Sequence, residues 1–316
     1  MTPPGPVTLP AGAAPAAAAA PPTVGAKLAL LARDIKLSHS VFAMPFALLS
    51  TVMAGRLVPA GLWGKLGLVV LCMVLARTVA MAMNRLLDAR LDAQNPRTAR
   101  RAIPGGALSR PFVTGVIAAC AAAFVAVTAV FWIAYANPWP LLLSLPVLAF
   151  LSAYPLLKRC THLCHYYLGA ALALAPVCAW VAVTGRLDPP PLWMAGAVLL
   201  WTAGFDIIYA CQDYQSDLAT GVHSVPARLG IAGALWVARL THAGCLAMLV
   251  TLGLTTPALG TLYFAGVAAA GCLLVVEHAL VSPSDLSKVG LAFFTLNGII
   301  SLLLGTLGII DVLRSQ

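Results

Sequence analysis

The chain has 316 residues, of which 61% are hydrophobic and only 9% are charged, and its formal net charge is +9. So few charges cannot cover the surface of a soluble protein of this size, and apolar runs of about 20 residues recur along the chain. The basic residues lie in short loops between these runs. Membrane topology and phosphate binding therefore explain the net charge better than nucleic-acid binding does, and we predict the lipid bilayer, and no nucleic acid, as a partner.

The first segment, residues 1–24, is rich in Ala and Pro and carries no charge. Because it lacks the basic start and the apolar core of a signal peptide, we predict a disordered tail at 1–24 and a membrane domain at 25–316. Lys27, Arg33 and Lys36 then alternate with apolar residues. This pattern predicts an amphipathic helix that lies in the membrane interface.

Nine apolar segments follow, each about as long as a membrane-spanning helix requires. They lie at about 40–58, 64–84, 111–133, 139–157, 165–184, 192–211, 231–253, 257–281 and 289–312. The sequence therefore predicts an all-α membrane protein with nine transmembrane helices.

The loops between these segments carry Lys and Arg unequally. A cytoplasmic N-terminus gives the cytoplasmic side Lys27, Arg33, Lys36, Arg85, Arg90, Arg97, Arg100, Arg101, Arg110, Lys158, Arg159, Arg228 and Lys288. The opposite side then receives only Arg56, Lys65, Arg186 and Arg314. Because positive charge favours the cytoplasmic side, we expect a protein of the inner (cytoplasmic) membrane whose N-terminus is cytoplasmic.

Two stretches of similar build end the second and sixth segments. The first motif contains Asn84, Asp88 and Asp92, and the second motif contains Tyr209, Asp213 and Asp217, both with the spacing i, i+4, i+8. On a helix this spacing puts both carboxylates of a motif on one face, where they repel each other unless a cation lies between them. Oxygen ligands of this kind suit Mg²⁺, which often shares its coordination with phosphate.

Basic residues predicted at the same membrane face could hold an anion with this metal. They are Arg77, Lys158 and Arg159. A lipid diphosphate fits such a site, with Mg²⁺ neutralising the departing diphosphate and a water-excluding site for the carbocation, for which Phe42, Phe46 and Tyr154 are candidate lining residues. We interpret Arg97, Arg100 and Arg101 chiefly as a topology signal, and Asp206 as either the partner of an arginine or part of the site.

Several stretches resemble segments of the UbiA superfamily of intramembrane prenyltransferases. The two motifs, NRLLDARLD and YACQDYQSD, resemble the two aspartate-rich motifs of that family. Further similar segments are NPRTARRAIPGGALS, YPLLKRCTHLCHYYLGAALALAP, GVHSVPARLG and SVFAMPFALLS, so the resemblance covers about residues 30–312. It implies an all-α fold around a central cavity, dependence on Mg²⁺, and transfer of a prenyl chain from its diphosphate to an acceptor.

The resemblance also implies roles for individual residues. Asn84, Asp88, Asp92, Asp213 and Asp217 match metal and diphosphate ligands, the four aspartates being catalytic. Tyr209, Lys158 and Arg159 match positions near the substrates. Many family members have Asp after the first Asn, where this chain has Arg85. That variant resembles members assigned to quinone biosynthesis, including a branch thought to prenylate a naphthoate.

We therefore expect a Mg²⁺-dependent enzyme that transfers a polyprenyl chain to a hydroxyaromatic acid such as 4-hydroxybenzoate in ubiquinone or menaquinone biosynthesis, with its active site facing the cytoplasm. A dihydroxynaphthoate or another acceptor of the same family is the alternative. A secondary transporter is the alternative of another class, and it would place carboxylates near the middle of the spans rather than at one face.

Overall fold

The computed structural model describes residues 23–36 and 42–315, and within them the only β-type pairing is an isolated bridge between Ser282 and Asp285. All other regular structure there is helical. The helices are α1 (Val24–Asp34), α2 (Met44–Leu57), α3 (Leu62–Gln94), α4 (Arg110–Tyr135), α5 (Trp139–Leu157), α6 (Cys164–Thr184), α7 (Pro189–Ala210), α8 (Tyr214–Thr220), α9 (Val225–Thr255), α10 (Thr261–Leu280), α11 (Val289–Leu291) and α12 (Asn297–Arg314).

The predicted spans agree with this architecture. Among the described residues, 8 helical segments are long and apolar enough to cross a membrane, with α7 joined to α8 and α11 joined to α12. The shorter α2, of 14 residues, is the described part of the first predicted span. The all-α fold is thus confirmed, and nine membrane helices fit it.

The second span differs most from its predicted bounds, because α3 continues for ten residues beyond 84 and ends at Gln94. A helix of 33 residues is about 50 Å long, whereas the hydrocarbon layer is about 30 Å thick. The last turns of α3, which carry the first motif, can therefore extend beyond the apolar layer without breaking the helix.

The predicted amphipathic segment forms α1, which begins at Val24 and so takes in the last residue of the predicted 1–24 tail. The rest of that tail, residues 1–22, lies outside the described residues. Asp34 fixes the end of α1: its carboxylate accepts a hydrogen bond from Ala102 N at 3.1 Å, and Arg85 forms an ion pair with it at 3.1 Å. The buried Arg85, one of the predicted loop cations, therefore holds α1 against the end of α3.

The most buried of the spanning segments is the one that contains α7 and α8. α7 packs closely against α6 and α9, and two glycines permit that approach. A Cβ at Gly169 of α6 would clash with the carbonyl oxygen of Leu199, and one at Gly204 of α7 would clash with the His242 ring. The first contact sets the distance between α6 and α7, and the second sets the distance between α7 and α9.

A chain of buried polar groups connects α7, α10 and α12. The Trp201 indole N–H donates to Asn297 Oδ1 at 2.6 Å, and Asn297 Nδ2 donates to Glu277 Oε1 at 2.9 Å. Glu277 and Asn297 have no exposed surface. Since the interior of a membrane protein offers little water, these bonds reduce the cost of burying the groups they join, although Glu277 Oε2 has no hydrogen-bond partner among the described residues.

Candidate active site

The first motif lies on the continuous helix α3, as the spacing predicted. Asn84, Asp88 and Asp92 are all buried, with 5%, 1% and 6% of their surface exposed. Asn84 Nδ2 donates to Asp88 Oδ2 at 3.0 Å and to the Tyr154 hydroxyl at 2.6 Å. One face of α3 therefore presents a linked amide and carboxylate to the end of α5.

Basic side chains neutralise both carboxylates of the first motif. Lys158 Nζ lies 2.5 Å from Asp88 Oδ2, and Arg159 lies 3.5 Å from Asp88 Oδ1. Arg101, from the loop after α3, binds both oxygens of Asp92 at 2.7 and 2.9 Å. The cations that these two carboxylates were expected to need are thus present as lysine and arginine side chains.

The second motif does not lie on one continuous helix. α7 ends at Ala210, a 3₁₀ turn spans Cys211–Asp213, and α8 begins at Tyr214. The predicted stripe of Tyr209, Asp213 and Asp217 is thus broken by a tighter turn, in which residues are spaced at three per turn rather than 3.6. Asp213 sits at this junction, and Asp217 is on the short helix that follows.

Residues from the loop after α3 join the two motifs. Asn95 Nδ2 donates to Asp213 Oδ1 at 2.8 Å, and the Arg97 guanidinium binds both oxygens of Asp213 at 3.0 and 2.5 Å. Arg97 also donates to the Tyr209 hydroxyl at 2.9 Å. The end of α3 is therefore fixed directly against the second motif, so the two motifs share one site.

A second link runs through the loops that precede α6 and α9. His223 N donates to the carbonyl oxygen of Lys158 at 2.7 Å, which joins the Lys158 loop to the loop before α9. The Ser224 hydroxyl then donates to Asp217 Oδ2 at 2.8 Å. Lys158, which binds the first motif, is therefore connected to Asp217 of the second motif through the loop before α9.

An apolar cavity of about 170 Å³ opens beside the first motif, enclosed by α3, α4, α5 and α6. Its wall includes Val69, Phe124 and Leu151, together with the polar side chains of Arg77 and Tyr154. None of the motif residues lines the cavity, but the hydroxyl of the lining residue Tyr154 contacts Asn84, so the cavity wall adjoins the first motif.

Arg77 lies on the cavity wall, seven residues before Asn84 on α3. It is thus on the same helix as the first motif, as the sequence predicted. Its Nε is buried with no hydrogen-bond partner among the described residues, while its NH2 group donates to the Lys36 carbonyl at 3.4 Å. Partial burial and the charges of Arg85, Arg101 and Arg97 lower the pKa of the nearby Lys36 ammonium. Lys36 and Arg77 therefore lie close to the arginines that bind Asp34, Asp92 and Asp213.

Three sequence interpretations need correction or completion. Phe42 and Phe46 do not line the cavity; their rings pack on Trp201 at 6.3 and 5.5 Å. Asp206 pairs with His165 at 2.7 Å rather than with an arginine. Arg97 and Arg101, interpreted chiefly as a topology signal, bind motif carboxylates.

Sequence reasoning did not assign Asn95 a role in the site, although the adjoining Pro96 offered a signal. Proline disfavours helical geometry in the residue before it, which predicts a helix end beside the first motif. Loop side chains at a helix end lie close to the carboxylates of its last turns. That signal locates the contact region, but it does not identify Asp213 as the partner.

Comparison with known proteins decides the family. The UbiA prenyltransferase family matches residues 43–299, most of the chain. The chain belongs to the UbiA prenyltransferase family. Two members similar to it are 4-hydroxybenzoate octaprenyltransferases. That of Vibrio parahaemolyticus serotype O3:K6 is 31% identical over 231 residues, 73% of this chain and 78% of the relative. That of Alkalilimnicola ehrlichii is 32% identical over 213 residues, 67% of this chain and 70% of the relative.

Solved structures of UbiA homologues share the fold. The apo UbiA homologue from Aeropyrum pernix K1 is 30% identical and superposes with a TM-score of 0.76, covering 87% of this chain and 98% of that chain. The UbiA homologue from Archaeoglobus fulgidus bound to DMAPP and Mg²⁺ gives a TM-score of 0.63 at 17% identity, with 89% and 98% coverage. At that identity, the second likeness supports the fold alone.

The carboxylates of this UbiA chain fit a shared rather than a fully protein-made metal site. No group of three or more His, Cys, Asp or Glu in the described part of the chain is arranged to hold a metal ion. Yet Asp88 Oδ1 is buried with no hydrogen-bond partner there, and all the motif donors are oxygens. Mg²⁺ commonly binds one or two carboxylates and completes its coordination with water and phosphate. The motif carboxylates also lie at one end of the bundle, unlike the arrangement expected of the alternative secondary transporter.

Proposed function

We propose that this membrane prenyltransferase transfers a polyprenyl chain from its diphosphate to a hydroxyaromatic acid of the 4-hydroxybenzoate type, in ubiquinone or menaquinone biosynthesis. The observation that carries the proposal is the junction of both aspartate motifs, through Asn95 and Arg97, beside an apolar cavity whose wall residue Tyr154 contacts the first motif. A diphosphate would lie among the carboxylates and basic residues, and its apolar chain would extend into the cavity.

The metal would be Mg²⁺, with ions held by one or two carboxylates of each motif, Asp88 and Asp92 in the first and Asp213 and Asp217 in the second, and with Asn84 as a further oxygen donor. When bound, it would neutralise negative charge on the departing diphosphate. A UbiA homologue from Archaeoglobus fulgidus has been solved with Mg²⁺ and either DMAPP or GPP bound, which supports the same pairing here.

The basic residues have two possible partners in this scheme. Lys158, Arg97 and Arg101 bind carboxylates at 2.5 to 2.7 Å in the substrate-free chain. A bound diphosphate offers stronger anionic acceptors, and arginine recognises phosphate with paired hydrogen bonds. We infer that these side chains transfer from the aspartates to the diphosphate as substrate and metal enter.

Arg77 is suited to the acceptor. It is half-buried on the cavity wall, and in the described residues its Nε has no hydrogen-bond partner and no carboxylate forms an ion pair with it. An acidic acceptor would supply the missing negative charge, and Tyr154 and Tyr209 would border the reacting groups. Relatives named 4-hydroxybenzoate octaprenyltransferase support an acidic phenol as that acceptor.

The test is a transfer assay in membranes that contain the protein. Radiolabelled acceptors, 4-hydroxybenzoate and a dihydroxynaphthoate among them, are incubated with polyprenyl diphosphate and Mg²⁺ and then extracted into solvent. We expect labelled 4-hydroxybenzoate to become lipophilic. Labelling of the naphthoate alone would select the alternative acceptor class, and no lipophilic product with any acceptor would contradict the proposal.

We also propose that the site faces the cytoplasm and that the N-terminus lies on that side. The unequal distribution of Lys and Arg supports this orientation. Single cysteines introduced into the 95–109 loop of a variant lacking the native cysteines should react with a membrane-impermeant reagent only in inside-out vesicles. Equal reaction in intact cells would contradict it.

A further inference from the structure

Asp206 and His165 form a buried pair beside the site that metal and diphosphate binding do not use. His165 Nδ1 lies 2.7 Å from Asp206 Oδ2, and the two side chains are 4% and 23% exposed. His165 is in the first turn of α6 and Asp206 is near the end of α7, so the pair spans the interface that Gly169 keeps close.

The orientation of His165 follows from its second contact. The backbone N–H of Val225 donates to His165 Nε2 at 3.3 Å. This contact orients the imidazole ring so that Nδ1 faces the Asp206 carboxylate.

Asp206 differs from three motif aspartates in what surrounds it. Asp88, Asp92 and Asp213 each bind a lysine or an arginine, whereas within the described residues Asp206 has only the histidine as an ion-pair partner. One oxygen, Oδ2, is held by His165, and no hydrogen bond to Oδ1 occurs there. This carboxylate therefore keeps one oxygen available to receive a proton.

Asp206 lies on α7 before the second motif, outside the residues that line the cavity. It lies seven residues, or about two helical turns, before Asp213 on α7. Ile207 and Ile208, which follow it, are completely buried, whereas Asp206 keeps exposed surface on this largely buried helix. Asp206 also lies within electrostatic range of the Tyr154 side chain, which lines the cavity and contacts Asn84.

We propose that Asp206 is the general base that removes the ring proton of the acceptor, and that His165 is the positioning residue that orients it; the inference rests on the proposed function. The C1–O bond of the prenyl diphosphate breaks, with the electron pair passing to diphosphate. The ring carbon beside the phenol oxygen then bonds to C1. Asp206 takes the proton from that carbon, the C–H electron pair restores the aromatic ring, and the proton later passes to water.

The experiment compares 4-hydroxybenzoate with the same compound deuterated at both ring carbons beside the hydroxyl group. Asp206→Asn keeps the shape but loses the base, and loss of a general base reduces rate by about 100-fold or more. We expect that reduction in kcat, an unchanged Kd for prenyl diphosphate in the presence of Mg²⁺, and a primary isotope effect absent from the wild type. Asp285→Asn, at an exposed loop carboxylate, is the matched control and should behave as the wild type.

The conservative variants separate a chemical role from a structural one. Asp206→Glu retains a carboxylate and should turn over faster than Asp206→Asn. His165→Asn retains an N–H donor and should therefore have a higher kcat than His165→Leu. His165→Leu should show the isotope effect. A normal rate for Asp206→Asn, a slow rate without an isotope effect, or Asp206→Glu no faster than Asp206→Asn would overturn the role of the base. If the wild type prenylates no hydroxyaromatic acid, the proposed function itself fails.

Discussion

The two aspartate motifs look alike in sequence but differ in how the fold supports them. Asp88 and Asp92 lie on one unbroken helix and are neutralised by Lys158, Arg159 and Arg101. Asp213 and Asp217 straddle a helix break, and Asp217 has a hydroxyl rather than a cation as its partner. We therefore expect the first motif, on a long helix, to be the more rigid of the two. The second motif lies on a short turn and a short helix, which we expect to move more easily when a substrate binds.

Among the tests of this comparison, chelation of the metal is expected to have the largest effect on turnover. If both motifs act through Mg²⁺, excess EDTA should abolish turnover, and added Mg²⁺ or Mn²⁺ should restore it. The thermal unfolding temperature should change little, because protein cations already neutralise three of the four carboxylates. Turnover and unfolding are measured on the same detergent-solubilised sample. Full activity in EDTA would remove the metal from the proposal.

Removal of one carboxylate from either motif is expected to be nearly as severe. Asp88→Ala and Asp213→Ala should each lower turnover by about 100-fold or more, the usual scale for losing one electrostatic stabiliser. The double variant should be scarcely slower than either single one, because groups that act as a unit are not additive. A mutant cycle in membranes, with protein amounts checked by blotting, measures this. Near-normal turnover in either single variant would make that motif structural.

The rigidity of the first motif predicts an unequal effect on stability. Asp88→Ala leaves Lys158 and Arg159 without their carboxylate, whereas Asp217→Ala leaves only the Ser224 hydroxyl unpaired. Breaking a buried ion pair from one side costs more than losing a neutral hydrogen bond. We therefore expect Asp88→Ala to unfold at the lower temperature of the two. The reverse order in a thermal unfolding assay would show that the second motif is the more rigid one.

Lys158→Ala should act on binding more than on chemistry, because its charge meets the diphosphate before reaction. A hydrogen bond to a charged group contributes about 1.5–3 kcal/mol, so KM for prenyl diphosphate should rise about tenfold or more with a smaller change in kcat. Initial rates over a range of prenyl diphosphate concentrations separate the two constants. A fall in kcat with an unchanged KM would place Lys158 in the transition state instead.

Ser224→Ala should have the smallest effect. The Ser224 hydroxyl caps α9 through Ala227 N at 3.2 Å and also donates to Asp217. Loss of such a cap costs about 1 kcal/mol of stability, and we expect turnover to fall only a few-fold. Thermal unfolding and turnover of Ser224→Thr, which keeps the hydroxyl, provide the control. A loss as large as that of Asp217→Ala would mean that Ser224 itself contacts the substrate.

Local sequence patterns predicted the fold well, because apolar length and helical spacing are local properties. The bounds of α5 and the helical face shared by Asn84, Asp88 and Asp92 follow from them directly. The contacts from Arg97 to Asp213 and from Arg101 to Asp92 do not, since they depend on where a loop folds back after Asn95. The 3₁₀ turn before α8 could not be predicted either, because the spacing of Tyr209, Asp213 and Asp217 is that of an ordinary α-helix.

The site needed both kinds of information. Spacing identified the carboxylates, but only the packing of α6 on α7 brings His165 to Asp206 across 41 residues of sequence. The distribution of charges along the sequence did not predict that loop arginines bind the motif aspartates. An arginine in a loop looks the same in sequence whether it contacts lipid headgroups or a buried aspartate. Distinguishing these cases requires tertiary structure.

The polar chain of Trp201, Asn297 and Glu277 has a consequence for how the protein is made. During synthesis α7 and α10 leave the ribosome before α12, so the indole and the carboxyl group enter the membrane before their shared amide partner exists. A polar group that is buried without a hydrogen-bond partner is costly. A nascent chain that stops after α10 therefore retains both aspartate motifs and every helix around the cavity, and still lacks the amide that binds both Trp201 and Glu277.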